Sequence, residues 1–182
     1  MYLLGDLYLR TDQKENARNA FAYSADNGSN RKLQEISRFN YAKLSYELGY
    51  QGVALSSMNK FLDLYPASEY AGEAKEIVIN LLANSNNYAD ALSLYKSFDK
   101  PTPTMLKIYP KILFGLATED INDQKLNDAD DLLTKVIKDP NSGDVLPFAD
   151  FWKGEVAYRL LRYDEAIKFM SDYLQYGGIQ GE

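Results

Sequence analysis

The sequence contains no cysteine and no histidine. Without cysteine the chain forms no disulfide bond, and without both residue types the usual zinc sites are excluded. Catalytic mechanisms that use a histidine base or a cysteine nucleophile are excluded for the same reason. The lack of cysteine does not assign a compartment, because cysteine-free proteins occur in both reducing and oxidising ones.

Clusters of basic residues and long apolar runs are also missing. The chain has 20 Lys and Arg against 26 Asp and Glu, a net charge of −6, so we do not expect nucleic acid as a partner. No stretch approaches the roughly 18 apolar residues of a membrane span. The N-terminal sequence MYLLGDLYLRTD lacks the basic region of a signal peptide. Hydrophobic residues nevertheless make up 46% of the chain, enough to bury a core.

What the sequence does contain is a repeat. Five alanines recur at spacings of 37, 37, 38 and 37 residues, and four of them are followed by large apolar residues four and seven positions later. The alanines are Ala17, Ala54, Ala91, Ala129 and Ala166. Twelve residues before each alanine stand Gly5, Ala42, Ile79, Ala117 and Gly154. Paired small residues at a fixed offset predict the crossing point of two antiparallel helices. Ile79 departs from this pattern, so we expect the third hairpin to be splayed or repacked.

The segments between the paired positions are rich in Gly, Asn and Asp, which tolerate left-handed backbone and cap helices. Pro66, Pro103 and Pro140 follow the second helix of a pair at a spacing of 37 residues, and Thr102 and Ser68 look like N-caps of the next helix. Pro110 predicts a kink in the first helix of the fourth unit, or a later start of that helix. The predicted first helices run near 1–10, 31–48, 69–84, 103–121 and 146–161, and the second helices near 14–26, 50–64, 87–98, 124–138 and 163–175.

These units resemble the tetratricopeptide repeat family. Leu4, Gly5, Tyr8, Ala17 and Phe21 follow the order of its motif in the first unit. The last unit follows it with Gly154, Tyr163, Ala166 and Met170. The repeat is near 37 residues rather than the family's roughly 34. The junction KFLDLYP followed by Ser68, and the segment FWKGE, are similar to repeats of bacterial envelope proteins, which suggests a bacterial periplasm or cell-envelope location.

The resemblance implies an all-α fold, a right-handed α-solenoid of about five stacked helix-turn-helix hairpins. We expect a single solenoid over 1–182, with units near 1–29, 30–67, 68–102, 103–143 and 144–182. The first unit starts in mid-helix at Met1, and the chain closes at YGGIQGE without a polar capping helix. We therefore expect a fragment of a longer protein, with a possible homo-oligomer formed through uncapped ends.

The resemblance also implies that the first helices line a concave groove for a peptide or a partner protein. Helical spacing places on that face Phe39, Lys43, Tyr46, Asn80, Asn84, Phe114, Thr118, Phe151, Glu155, Tyr158 and Arg159. Aromatic side chains give contact area and amides bind peptide backbone. The alternative for each aromatic is packing against the next hairpin. The carboxylate-binding subset of the family has lysine where this chain has Phe39 and Glu76, so that activity is not expected.

Two motifs suggest other chemistry. Asp120, Asn122, Gln124, Asp128 and Asp131 have the spacing of a calcium loop, but Lys125 stands where the loop needs glycine, so no metal is expected. The S-x-x-K pattern occurs at Ser57–Lys60 and at Ser97–Lys100 without the companion motifs of a serine nucleophile, and chance accounts for it. We expect no catalytic residues and no cofactor.

The predicted function is therefore protein–protein interaction, as a scaffold or adaptor that binds a peptide or partner protein in the groove. The alternative is a structural segment of a longer solenoid that self-associates or stacks on further repeats. The partner itself is not identified by the sequence.

Overall fold

A computed structural model describes residues 1–176, which form ten α-helices and no strand. The helices are α1 (Tyr2–Arg10), α2 (Lys14–Asn27), α3 (Arg31–Glu47), α4 (Gln51–Leu64), α5 (Ala71–Asn84), α6 (Tyr88–Lys96), α7 (Pro103–Asn122), α8 (Leu126–Lys138), α9 (Leu146–Arg159) and α10 (Tyr163–Gln175). The all-α prediction is confirmed, and each helix end lies within two residues of its predicted position. The expected absence of a capping helix after residue 176 lies outside the described residues.

The start of α7 shows why Pro110 does not shorten the helix. Thr102 is the N-cap, and its hydroxyl accepts a hydrogen bond of 3.3 Å from the Met105 amide, while Pro103 occupies the first turn. The helix continues through Pro110, which is buried. The expectation of a later start is therefore wrong, because the cap and Pro103 fix the beginning of the helix. Ser68 also differs from expectation, since α5 begins only at Ala71.

The chain divides into two compact units, Met1–Leu81 and Leu82–Glu182. In the first unit α1 packs on α2, α2 on α3, and α3 on α4. In the second unit α6 packs on α7, α7 on α8, α8 on α9, and α9 on α10. Each unit is thus built from contacts between helices that follow one another along the chain, as in a helical repeat. A single solenoid over the whole chain, and splaying of the hairpin that contains Ile79, stay predictions.

The paired small positions form the interior of the hairpins, as the spacing predicts. All ten residues of the two series are buried. A Cβ atom added to Gly5 would lie 2.8 Å from the Phe21 ring, and one added to Gly154 would lie 2.7 Å from Cγ of Met170. Each glycine stands sixteen residues before the side chain that covers it, so the first and last hairpins share one packing register. The close approach explains why these positions are small.

A repeated turn closes every first helix. One residue in each turn adopts left-handed backbone with φ between 56° and 83°, and these residues are Asp12, Gly49, Asn86, Gln124 and Leu161. The amide of the following residue donates to a carbonyl five residues earlier, as in the 2.8 Å bond from Gln13 to Tyr8 and the 2.9 Å bond from Arg162 to Ala157. This is the Schellman arrangement, which pairs the last carbonyls of a helix.

The turn residues therefore act differently from one of our expectations. The turn composition predicts residues that tolerate left-handed backbone, as Asp12 and Asn86 do, and Asn or Asp residues that cap the following helix. None of the five described second helices has a side-chain hydrogen bond at its N-cap. The left-handed residue instead ends the first helix, and its backbone makes the turn.

Candidate functional site

In the first unit, two of the predicted groove residues on α3 have different environments. Phe39 is 3% exposed and stacks on Tyr70 at 4.7 Å between ring centroids, with the Phe61 ring at 5.5 Å. Phe39 therefore packs against the next hairpin, which was the alternative to a groove position, because its ring lies in the core. Lys43 lies at the surface, with its Nζ 5.9 Å from the Phe39 ring centroid and 2.7 Å from a carboxylate oxygen of Glu73.

Two further predicted residues of this unit are half-buried. Tyr46 lies one helical turn after Lys43 on α3. Asn80 on α5 donates a hydrogen bond of 2.9 Å from Nδ2 to the carbonyl of Glu76, one turn earlier in the same helix. Part of the Asn80 amide is therefore already used within its own helix. On α3, Lys43 and Tyr46 are therefore the predicted residues that stay partly accessible.

In the second unit, the predicted residues of α5 and α7 are largely engaged with neighbours. Oδ1 of the exposed Asn84 accepts a hydrogen bond of 2.7 Å from Nζ of Lys111. Phe114 is half-buried, with its ring centroid 6.5 Å from that of Phe148. The Thr118 hydroxyl donates to the carbonyl of Gly115 at 2.7 Å, inside its own helix.

The structure brings four predicted residues together on α9, and we call Phe151, Glu155, Tyr158 and Arg159 the α9 stripe. Their spacing places them on one helix face. Phe151 is 38% exposed and Tyr158 is 57% exposed. Nε of Arg159 lies 2.9 Å from Oε1 of Glu155, so these two residues form an ion pair on the same face of the helix.

The aromatic rings of the stripe are held by neighbouring rings. The Phe151 centroid lies 5.5 Å from that of Trp152 and 5.4 Å from that of Tyr173 on α10. The Tyr158 centroid lies 5.8 Å from that of Tyr163. Trp152 itself is half-buried against the core between α7, α8 and α9. The stripe is therefore an exposed aromatic and ionic surface on a supported helix.

A buried ionic cluster lies behind the stripe, and sequence reasoning missed it. Nζ of Lys153, with the side chain 5% exposed, lies 2.7 Å from Oδ1 of Asp130 and 2.7 Å from the Thr134 hydroxyl. Nη2 of Arg162 lies 2.6 Å from the same Asp130 oxygen, and Nη1 lies 2.9 Å from Glu165. These contacts join α8, α9 and the start of α10 through one carboxylate.

Asp130 is the carboxylate that both Lys153 and Arg162 contact in this cluster. Burial raises the pKa of its carboxyl group, but the hydrogen bonds from Arg162 and Lys153 outweigh burial and hold the pKa below its ordinary value. The carboxylate is therefore ionised at neutral pH. A signal for the cluster is present in the sequence, because Asp130 stands at a repeat position that Leu55 and Leu92 occupy on α4 and α6, where both side chains are half-buried.

A second buried acid, Asp150, lies one helical turn before Lys153 on α9. Asp150 is 3% exposed and accepts a hydrogen bond of 2.8 Å from the Tyr176 hydroxyl. Burial raises the pKa of Asp150 even though the Tyr176 hydrogen bond acts in the opposite direction. The same hydrogen bond, together with burial, raises the pKa of Tyr176 to about 12. The pair ties the end of α10 to the first turns of α9.

In residues 1–176 there is no group of three or more acidic side chains that could hold a metal ion. In the turn with calcium-loop spacing, Nζ of Lys125 lies 2.8 Å from Asp123 and 3.7 Å from Asp120. Over the same residues, no helix combines the length and apolar character needed to cross a bilayer.

The fold itself is shared with solved structures of MamA. MamA 41-end from Desulfovibrio magneticus RS-1 superposes with a TM-score of 0.54 at 14% identity, covering 98% of this chain and 93% of that one. A crystal structure of MamA gives a TM-score of 0.54 at 16% identity, covering 94% and 93%. No protein-family model and no curated protein matches the sequence. The similarity establishes a tetratricopeptide-repeat-like helical fold, and at this identity it establishes the fold alone.

Proposed function

We propose that this protein is a protein-interaction module that binds a peptide or partner protein on the surface of its first helices. The observation that carries the proposal is the α9 stripe, where two exposed aromatic rings and a surface ion pair share one helix face. Tyrosine and arginine are enriched among the residues that dominate binding energy at interfaces. The neighbouring rings of Trp152, Tyr163 and Tyr173 hold the stripe in place, which reduces the entropy lost on binding.

Lys43 and Tyr46 on α3 support the proposal from the first unit. In the 37-residue repeat, Lys43 occupies the position of Glu155, and Tyr46 occupies the position of Tyr158. The two residues therefore lie on the helix face of α3 that corresponds to the stripe. Lys43 keeps a charge at the surface beside Glu73, and Tyr46 presents a half-buried ring. Each of the two surfaces thus offers an aromatic ring beside charged side chains to a partner.

The proposal is tested by site-specific photocrosslinking. A photoreactive phenylalanine analogue at position 158 should capture a partner that the same analogue at position 23 does not. Tyr23 lies on the second helix α2 and is 56% exposed, against 57% for Tyr158, so the two sites are matched in accessibility. The captured protein is then produced and its Kd measured against purified variants.

We expect Tyr158→Ala to weaken that Kd by about tenfold or more, the loss typical of a central aromatic contact. Tyr23→Ala should leave the Kd unchanged. Equal Kd values for the two variants, or capture from position 23 alone, would remove the α9 stripe as the binding surface.

A second candidate function is self-association, and a specific observation favours it. Leu3 is 78% exposed and Leu7 is 55% exposed on α1. Four repeats later, the equivalent residues on α9 are Trp152 and Val156, which pack in the core shared with α8. The face that α9 buries against the preceding second helix is thus open on α1.

Within residues 1–176, α10 exposes an apolar side chain at the complementary position. Leu174 is 77% exposed, whereas its equivalent one repeat earlier, Ile137 on α8, packs against the core. Each chain therefore exposes apolar residues at both sets of positions that, within the chain, join a first helix to the preceding second helix. We infer that the occupant is a second copy, with α1 of one molecule on α10 of the next. Such a head-to-tail contact is heterologous and generates open chains or rings.

A further inference from the structure

A small cavity of the first unit lies between α2, α3 and α4. Its volume is about 140 Å³, and it is lined by Arg38, Tyr41, Ser57, Lys60 and Asp26, together with two alanines of α2. Pockets for drug-sized ligands have volumes of roughly 300–1,000 Å³. The cavity is therefore suited to a small ion or to a single functional group.

Arg38 supplies the deepest charge of the cavity. Its Nη2 atom donates to the carbonyl of Ala25 at 3.0 Å and to Oδ1 of Asp26 at 3.2 Å. Its Nε atom is buried and has no hydrogen-bond partner among the described residues. A buried donor without a partner costs free energy that a bound acceptor would recover.

Ser57 and Lys60 supply the opposite wall. They are three residues apart on α4 and therefore face the same side of the helix. In the described part of the chain, Lys60 takes part in no ion pair, and the hydroxyl of Ser57 makes no hydrogen bond. The S-x-x-K spacing that resembles a nucleophile motif thus places a hydroxyl and an ammonium group at the rim of a cavity that contains a guanidinium.

The charges of this cavity favour an anion. Arg38 and Lys60 carry two positive charges, and Asp26 is the one acidic residue of the lining, in a chain whose net charge is −6. Guanidinium and ammonium groups bind carboxylate and phosphate oxygens through strong charge-assisted hydrogen bonds. We propose that this cavity binds a small oxyanion, a phosphate or a carboxylate group, between Arg38, Ser57 and Lys60. The lining belongs to α2, α3 and α4 of the first unit and shares no residue with the α9 stripe.

The test is a titration of the ¹⁵N-labelled protein with inorganic phosphate at constant ionic strength, followed by NMR. We expect saturable shifts at the amides of Ser57, Lys60 and Arg38. Lys60→Gln should weaken the phosphate Kd by about tenfold, the effect of removing one charge-assisted hydrogen bond. Lys60 is the residue to change because it is exposed. Arg38 also hydrogen-bonds the Ala25 carbonyl and the Asp26 carboxylate at the end of α2, so its substitution would disturb folding.

Lys107→Gln is the matched control, since it removes one exposed positive charge on α7 and should leave the phosphate Kd unchanged. A parallel titration with N-acetylglutamate separates the two sources of the oxyanion. Tighter binding of phosphate assigns a phosphoryl ligand, and tighter binding of N-acetylglutamate assigns a carboxylate ligand. The proposal is overturned if neither probe shifts these amides saturably, or if Lys60→Gln and Lys107→Gln bind phosphate with equal affinity.

Discussion

At the scale of single residues, Lys153 is the side chain whose position is hardest to explain without its partners. Its ammonium group is almost fully buried, and a buried charge is tolerated only when it is paired and hydrogen-bonded. Asp130 and Thr134 of α8 both meet the group at 2.7 Å. The cluster therefore fixes how α9 lies on α8, since a shift of either helix would separate the charges.

The two members of this ion pair should respond unequally to substitution. Asp130→Asn leaves the buried Lys153 ammonium with Glu165 at 3.8 Å as its nearest carboxylate, so we expect a loss of about 3 kcal/mol in the free energy of unfolding. Lys153→Met leaves Asp130 bonded to Arg162, and we expect a loss of about 1 kcal/mol. Urea unfolding followed by circular dichroism measures both values.

The same pair has a pH signature. The pKa of Asp130 is lower in the folded chain than its ordinary value of 3.8. Its stabilisation is therefore fully present above that value and is lost as the pH falls through the folded pKa. Asp130→Asn should remove this part of the acid dependence. An equal cost for both substitutions, or an unchanged acid dependence in Asp130→Asn, would contradict the assignment.

At the scale of elements, the turn after each first helix is the most regular feature of the chain. Four non-glycine residues adopt the left-handed conformation there, and Gly49 is the fifth member of the series. Asn and Asp tolerate this conformation, but a leucine pays the steric cost of its Cβ atom. Leu161 is 71% exposed, so little packing compensates for its φ of 62°.

Reciprocal substitutions test the turn. Leu161→Gly should raise the free energy of unfolding by about 1 kcal/mol, because glycine adopts positive φ without a steric cost. Gly49→Leu should lower it by about 1 kcal/mol for the same reason. Gly49 has no atoms within 4 Å of a built Cβ, so only the backbone conformation is tested there. Thermal and chemical unfolding measure both changes, and changes of the same sign would refute the explanation.

At the scale of the whole molecule, the proposed self-association rests on exposed apolar side chains of α1 and α10. Burying a leucine side chain stabilises a contact by about 1.5–3 kcal/mol, so Leu3 and Leu7 together would contribute much of the free energy of the proposed contact between α1 and α10 of two copies. We expect sedimentation velocity to show association that increases with protein concentration. The double variant Leu3→Lys with Leu7→Lys should weaken it by about a hundredfold.

Tyr23→Lys is the control for this experiment, since it places a lysine at an exposed site on α2 away from the seam positions. It should associate as the unchanged chain does. A chain that stays monomeric at every concentration, or equal association of the two variants, would exclude head-to-tail stacking and leave the partner-binding role of the α9 stripe untouched.

The sequence by itself determined the repeat, the helix bounds and the ten buried positions of the hairpin seams. These follow from small residues, prolines and turn residues whose effects are local or recur at a fixed period. The tertiary structure decided which side chains meet between helices. Helical spacing assigns Phe39 to the groove face, yet its ring stacks on Tyr70 in the core. Lys153 forms an ion pair with Asp130, which lies twenty-three residues earlier in the chain. Helical period assigns a residue to a face, but only packing decides whether that face meets a ring, a charge or solvent.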